Sequence, residues 1–191
     1  MKAFLFASIA ILIGFNLHAQ DVQLPTPVRS GGKPLMDALN QRHSTRTFQD
    51  KEFSLQQLSD LLWAANGFNR ADKRTAPTAN NRQELELYVT TSKSLYFYDA
   101  RNHLLKEVKK GDFVAIVPLN LIFVADMQKA SGREYAYIGC GFVSQNIYLY
   151  VVSEGLGTVV RGSFDKERLH SLLELKPSQE VLLTQSVGYS R

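Results

Sequence analysis

The 191 residues contain a single cysteine, Cys140, which excludes an intramolecular disulfide. It lies in an apolar helical stretch, where a buried small hydrophobe is expected in preference to a reactive thiol. The four histidines (His18, His43, His103 and His170) are scattered, and no zinc-ligand spacing is present. No G-x-S-x-G elbow occurs, which removes that route to a nucleophilic serine. "GLGTVVRG" holds a G-x-G, but its third glycine is misplaced and it follows a helix-like segment, so it is not a dinucleotide fingerprint. Basic runs of five or six residues are also missing, and a net charge of +4 is too small to argue for nucleic acid. Without a nucleophile or a metal set, an enzyme built from this chain takes its chemistry from an organic cofactor.

Two long uncharged runs need separate treatment. Residues 1–19 read as an export signal peptide. Lys2 supplies the positive start, "AFLFASIAILIGF" the apolar centre, and "NLHAQ" a short polar exit with the cut expected after Ala19. The apolar centre is short for a membrane span, so cleavage and a periplasmic destination are expected. The second run, "YAYIGCGFVSQNIYLYVVS", has no charged residue. Ser144, Gln145 and Asn146 at its middle make it too polar for lipid, so a buried core helix or a subunit interface is expected, with no membrane span in the mature chain.

Between these runs the pattern is interleaved. Residues 20–33 are rich in proline and glycine and read as an extended arm, followed by one domain over residues 34–191. "SLQQLSDLLWAANG" is the clearest helix: Ser54 and Gln57 have capping-box spacing, Leu55, Leu58, Leu61, Leu62 and Ala65 form a stripe, and Gly67 is expected to close it in a left-handed turn. The glycines flanking Cys140 are expected to admit a neighbouring backbone. "LELYVTT", "SLYFYD", "VPLNLIFVAD" and "EVLLTQSVGY" read as strands, and "RLHSLLEL" as a short helix. The fold class is α+β or mixed α/β.

Three phrases carry chemistry. "RHSTR" sets Arg42, Ser44 and Arg46 beside His43, two cationic donors and a hydroxyl suited to a phosphate or a carbonyl oxygen. Taken alone it reads first as a solvated loop. "RTAPTANNRQELELYV" offers Pro77, Thr78, Ala79 and Asn81 on a polar turn, or simply a capped loop. "GLGTVVRGSFD" places small residues around Gly162, where a planar ligand could lie against the main chain, or where a helix merely connects to a strand.

"RHSTRTF", "APTANNRQELELYV", "GFVSQNIYLYVVSEGLGT" and "VRGSFD" occur in the order found in the FMN-dependent nitroreductase family, which the chain resembles from about Leu24 to Tyr189. The resemblance implies an α+β fold, a mainly antiparallel mixed sheet sandwiched by helices in an intertwined homodimer. It also implies an FMN-dependent oxidoreductase that passes hydride or electrons between a reductant such as NAD(P)H and a small acceptor such as a nitroaromatic or quinone. Carried over, Arg42 and Ser44, with His43 adjacent, meet the FMN phosphate, and Arg46 reaches the pyrimidine side of the ring. Pro77, Thr78, Ala79 and Asn81 reach the flavin of the partner subunit. Val160, Arg161, Gly162 and Ser163 lie along the ring. No side chain is expected to do the chemistry itself. Thr78 stands where the family has serine, and Arg161 where many relatives have an apolar residue. The alternative from another class is an exported flavin-binding protein without turnover.

Overall fold

Ser54 begins the helix most plainly marked in the sequence. Its Oγ accepts from the Gln57 amide at 3.2 Å, and Gln57 Oε1 accepts from the Ser54 amide at 3.1 Å, closing the capping box. In this computed structural model, which describes residues 20–113 and 118–191, helix α2 spans Leu55–Asn66; the expected signal peptide lies outside the described residues. Leu58, Leu61, Leu62 and Ala65 are buried as the stripe requires, whereas Leu55, in the first turn, stays exposed. The helix does not end in a left-handed turn. Gly67 has φ −76° and ψ 172°, and its amide donates to the Trp63 carbonyl at 2.8 Å. Glycine is needed there for space: a Cβ would lie 2.5 Å from the Trp63 ring and 2.7 Å from its Cα.

The uncharged run folds as α3 (Arg133–Ser153). Ala136, Gly139, Cys140, Val143, Ile147 and Val151 recur every three or four residues and form its buried face. Tyr135, Ile138 and Phe142 lie on another face and are exposed. Among the described residues, no helix is long and apolar enough to cross a membrane. Within one chain, among the described residues, side chains and not a backbone stand against this pair of glycines. A Cβ at Gly139 would stand 3.0 Å from the Leu85 side chain, and Gly141 faces open space. Cys140 is fully buried, and burial, with Glu84 nearby, pushes its thiol up to about 12.

Two further helices, α1 (Leu35–Gln41) and α4 (Lys166–Leu172), complete the helical set. The strands are β1 (Val22–Gln23), β2 (Leu85–Thr90), β3 (Ser94–Asp99), β4 (Leu104–Lys110), β5 (Leu119–Asp126), β6 (Gly157–Arg161) and β7 (Gln179–Gly188). They form one sheet in the order β1-β4-β3-β2-β5-β7-β6, and every adjacent pair is antiparallel. The α+β class therefore holds. Three strands stand where no strand is read from the sequence: β1 lies in the extended arm, and the other two are β4 and β6. β4 carries Lys106, Glu107, Lys109 and Lys110, and β6 occupies the stretch that reads equally as a connection.

Strand alternation sorts the sheet into two faces. Leu85, Leu87, Leu119, Leu121 and Val187 join the main core with α2 and α3. Tyr88, Ile122, Val124 and Val181 point the other way, into a smaller cluster with Leu169 and Leu172 of α4.

The N-terminal arm is pinned to the sheet by a histidine. Ser59 Oγ donates to the Pro25 carbonyl at 2.6 Å, so the contact of Ser59 Oγ with His103 Nε2 at 2.7 Å requires the nitrogen to donate. His103 Nδ1 is then the acceptor for the Tyr98 hydroxyl at 3.0 Å. This arrangement uses neutral imidazole, and burial pushes the His103 pKa down. A folded value below the unfolded one, about 6.5, means that the contribution is complete above that pH and is lost as pH falls toward the folded value. Urea denaturation across pH 5 to 8 is expected to show stability rising with pH over that window, and His103→Gln is expected to flatten the rise.

Candidate active site

Helix α1 stops at Arg42, whose φ of −59° and ψ of 122° turn the chain into an extended loop. The loop is stitched to β6 at Thr45, whose amide donates to the Thr158 carbonyl at 2.9 Å. Glycine at 157 makes this approach feasible, because a Cβ there would lie 2.7 Å from Thr45 Cβ and from Ser190 Oγ. The stitch gathers Arg42 and Ser44 around a residue that the sequence reading missed, Tyr148 of α3. Ser44 Oγ lies 2.9 Å from the Tyr148 hydroxyl, the Val160 amide donates to that hydroxyl at 3.3 Å, and the Arg42 guanidinium sits 5.1 Å from the ring centroid. The only signal for Tyr148 was a general one: a tyrosine in an apolar helix needs a partner for its hydroxyl.

The two remaining members of the loop face outward. His43 is exposed, with Nδ1 2.8 Å from the Gln41 carbonyl. Arg46 is exposed, and among the described residues its side chain has no ion-pair or hydrogen-bond partner. The chain end runs alongside: the Arg191 amide donates to the Thr47 carbonyl at 3.3 Å.

Residues 160–163 divide between surroundings. Val160 lies in the row with Leu121 and Gln185, on the α3 face. Arg161 lies in the row with Ile122 and Thr184, on the opposite face, where its Nε donates to Ser186 Oγ at 3.1 Å. Gly162 and Ser163 follow the strand exposed, and a Cβ on Gly162 would meet nothing within 4 Å. Their amides have no protein acceptor among the described residues.

The second phrase forms a self-contained turn. Asn80, Asn81 and Gln83 have φ of 51°, 54° and 52°, left-handed values that asparagine tolerates better than most residues. Thr78 Oγ1 accepts from the Gln83 amide at 2.9 Å, which leaves its hydroxyl proton to donate outward. The Asn81 side chain is committed inward: Nδ2 donates to the Asp72 carbonyl at 3.1 Å, and Oδ1 accepts from Gln83 Nε2 at 3.1 Å. Pro77 is exposed, and Ala79 is half-buried. Among the described residues, no hydrogen bond or ion pair joins residues 77–81 to residues 42–46 or 160–163. Within one chain the structure brings the first and third phrases together and leaves the second apart.

Gly157→Ala is expected to push the Thr45 loop off β6, at a cost of about 1–3 kcal/mol in urea denaturation. Amide resonances of Ser44 and Thr45 are expected to move in the variant while those of Thr78 and Asn81 stay in place.

Comparison with known proteins adds to this geometry. The model of the nitroreductase family matches residues 39–120 and 109–189. A Methanocaldococcus jannaschii protein named as a nitroreductase is 29% identical over 180 residues, covering 81% of this chain and 90% of that protein. A crystal structure from Ralstonia eutropha, also named as a nitroreductase, superposes with a TM-score of 0.82 at 36% identity, covering 90% of each chain. A chain of the E. coli microcin synthetase McbBCD complex shares the fold, with a TM-score of 0.70 at 17% identity over 98% of this chain and 85% of that one. The shared sequence, the fold and the ordered phrases agree: this chain belongs to the nitroreductase family.

Proposed function

We propose that the protein is an FMN-dependent oxidoreductase, acting as a homodimer on a small organic acceptor such as a nitroaromatic or quinone, with NAD(P)H as one candidate reductant. The family supports flavin-dependent oxidoreductase chemistry in general terms. The observation that carries the finer reading is the cluster on Tyr148, where Arg42, Ser44 and the start of residues 160–163 converge.

The donors fit FMN. Arg42 and Ser44 offer a charge-assisted contact and a hydroxyl to the phosphate, with His43 beside them. Arg46 is an unpaired cation for the pyrimidine side of the ring. The open space at Gly162 and the unbonded amides of Gly162 and Ser163 suit the edge of a flat ring with carbonyl and imine acceptors. When bound, FMN supplies reversible hydride chemistry. The protein's part is to grip the phosphate, orient the ring and keep one edge in contact with main-chain donors. Arg161 is the exception within this set: its side chain leaves for the other face of the sheet, so only its backbone belongs here.

Two features support the homodimer. Tyr135, Ile138 and Phe142 on α3, with Met36 and Leu39 on α1, are large apolar side chains left exposed. The turn holding Pro77, Thr78, Ala79 and Asn81 has no link to the Tyr148 cluster in its own chain, and a second copy covering the α3 face would deliver its turn in trans. Residues 1–19 belong to the same proposal as a cleaved leader, with the mature enzyme in the periplasm.

Arg42→Ala is expected to weaken FMN binding about ten- to a hundredfold, the equivalent of roughly 1.5–3 kcal/mol, and to erase most of the preference for FMN over riboflavin. Arg46→Ala is expected to preserve that preference and to lower the midpoint potential of bound flavin. Equal weakening of riboflavin and FMN by Arg42→Ala would remove the phosphate assignment. Light scattering of the flavin-loaded protein is expected to give twice the chain mass, and Phe142→Asp to shift it toward one chain with loss of flavin. A stable flavin-bound monomer would overturn the proposed assembly.

A further inference from the structure

We infer that a second ligand site, for a small aromatic carboxylate, lies on the face of the sheet opposite α3. It does not rest on the flavin reading. A cavity of about 350 Å³ at the start of α2 is mostly apolar, and its polar groups Glu52, Lys93 and Ser92 already satisfy one another. The cavity under α4 is different. It holds about 640 Å³, within the range of roughly 300–1,000 Å³ common for small-molecule sites.

Strand register builds its floor. Thr90, Asn120 and Ser186 form one cross-strand row, and Tyr88, Ile122, Thr184 and Arg161 form the next. Ile122, Leu169 and Leu172 supply an apolar base, and Phe113 and Phe164 supply aromatic walls. The polar lining is dominated by donors. Arg161 uses only Nε, on Ser186 Oγ, which itself donates to Asn120 Oδ1 at 2.7 Å. Both Nη groups of Arg161 and the whole guanidinium of Arg168 have no protein acceptor among the described residues. The lining also holds two carboxylates, Asp112 and Asp165. Asp165 Oδ1 caps α4 by accepting from the Arg168 amide at 2.9 Å, and Asp112 has its own partner.

Two guanidiniums with spare donors above an apolar, ring-lined base select a ligand with an anionic end and a flat hydrophobic body. Arginine rather than lysine suits the pairing, since its planar fork meets both carboxylate oxygens together. Arg161 thus serves this cavity by its side chain while its neighbour Val160 bonds Tyr148 by its amide.

Calorimetric titration of the full chain, with and without saturating FMN, tests the site using three naphthalene probes. Naphthoate is expected to bind with one site per chain, and neutral naphthamide and cationic naphthylmethylamine at least about tenfold more weakly. Arg168→Gln, an exposed position, is expected to weaken naphthoate about tenfold or more and to leave naphthamide unchanged, with the thermal melt preserved. FMN is expected to leave the naphthoate isotherm unchanged. Displacement of naphthoate by FMN would place the probe in the flavin site and overturn the inference. So would absence of naphthoate binding, equal or tighter binding of the amide or amine, or an Arg168→Gln variant that binds naphthoate like the parent.

Discussion

The candidate active site depends on one phenol. The Tyr148 hydroxyl takes a hydrogen bond from the Val160 amide and shares another with Ser44, and its ring carries Arg42. Each of these contacts is worth only about 1 kcal/mol, so none alone would hold a loop in place. Their common anchor is what makes them effective. Tyr148 stands one residue beyond Ile147, which is fully buried in the main core. The position of the phenol is therefore set by the packing of α3 on the sheet, and the loop and the strand edge inherit that precision.

Alternation along β6 separates two kinds of chemistry within a few ångströms of chain. Val160 looks toward α3, and Arg161 looks toward α4. In an edge strand this division comes at low cost, because only one side of the strand is committed to the ladder with β7. The strand continues into Gly162, where the chain has no side chain and no packed neighbour. A rigid element thus ends in a bare, donor-rich terminus, a better place for recognition than a loop of equal composition.

Much of this was legible in the sequence where local rules suffice. Ser54 and Gln57 announced α2 because a capping box is contained within four residues. The uncharged run announced α3, since no alternative element tolerates such length without charge. What escaped depends on distant partners. β4, flanked on its outer side only by the two-residue β1, is a charged strand whose Lys106 and Glu107 give no alternating apolar signal, and β6 exists as a strand only because β7 pairs with it. Gly67 was misread because its glycine answers a clash with Trp63 and not a left-handed φ, a distinction visible only with side chains in place. The motif residues Arg42 and Ser44 were legible through a resemblance. Tyr148, which gathers them, carries no motif and belongs to a register of α3 that periodicity alone cannot assign to the sheet edge.

The burial of Cys140 has a practical side. A thiol held protonated inside the core cannot be attacked by maleimides or iodoacetamides while the protein is folded. The native chain therefore behaves toward such reagents as a cysteine-free background. A single cysteine introduced on the surface would take a fluorophore or spin label alone, and distances between the label sites of two associated copies could be read without first altering the wild-type core.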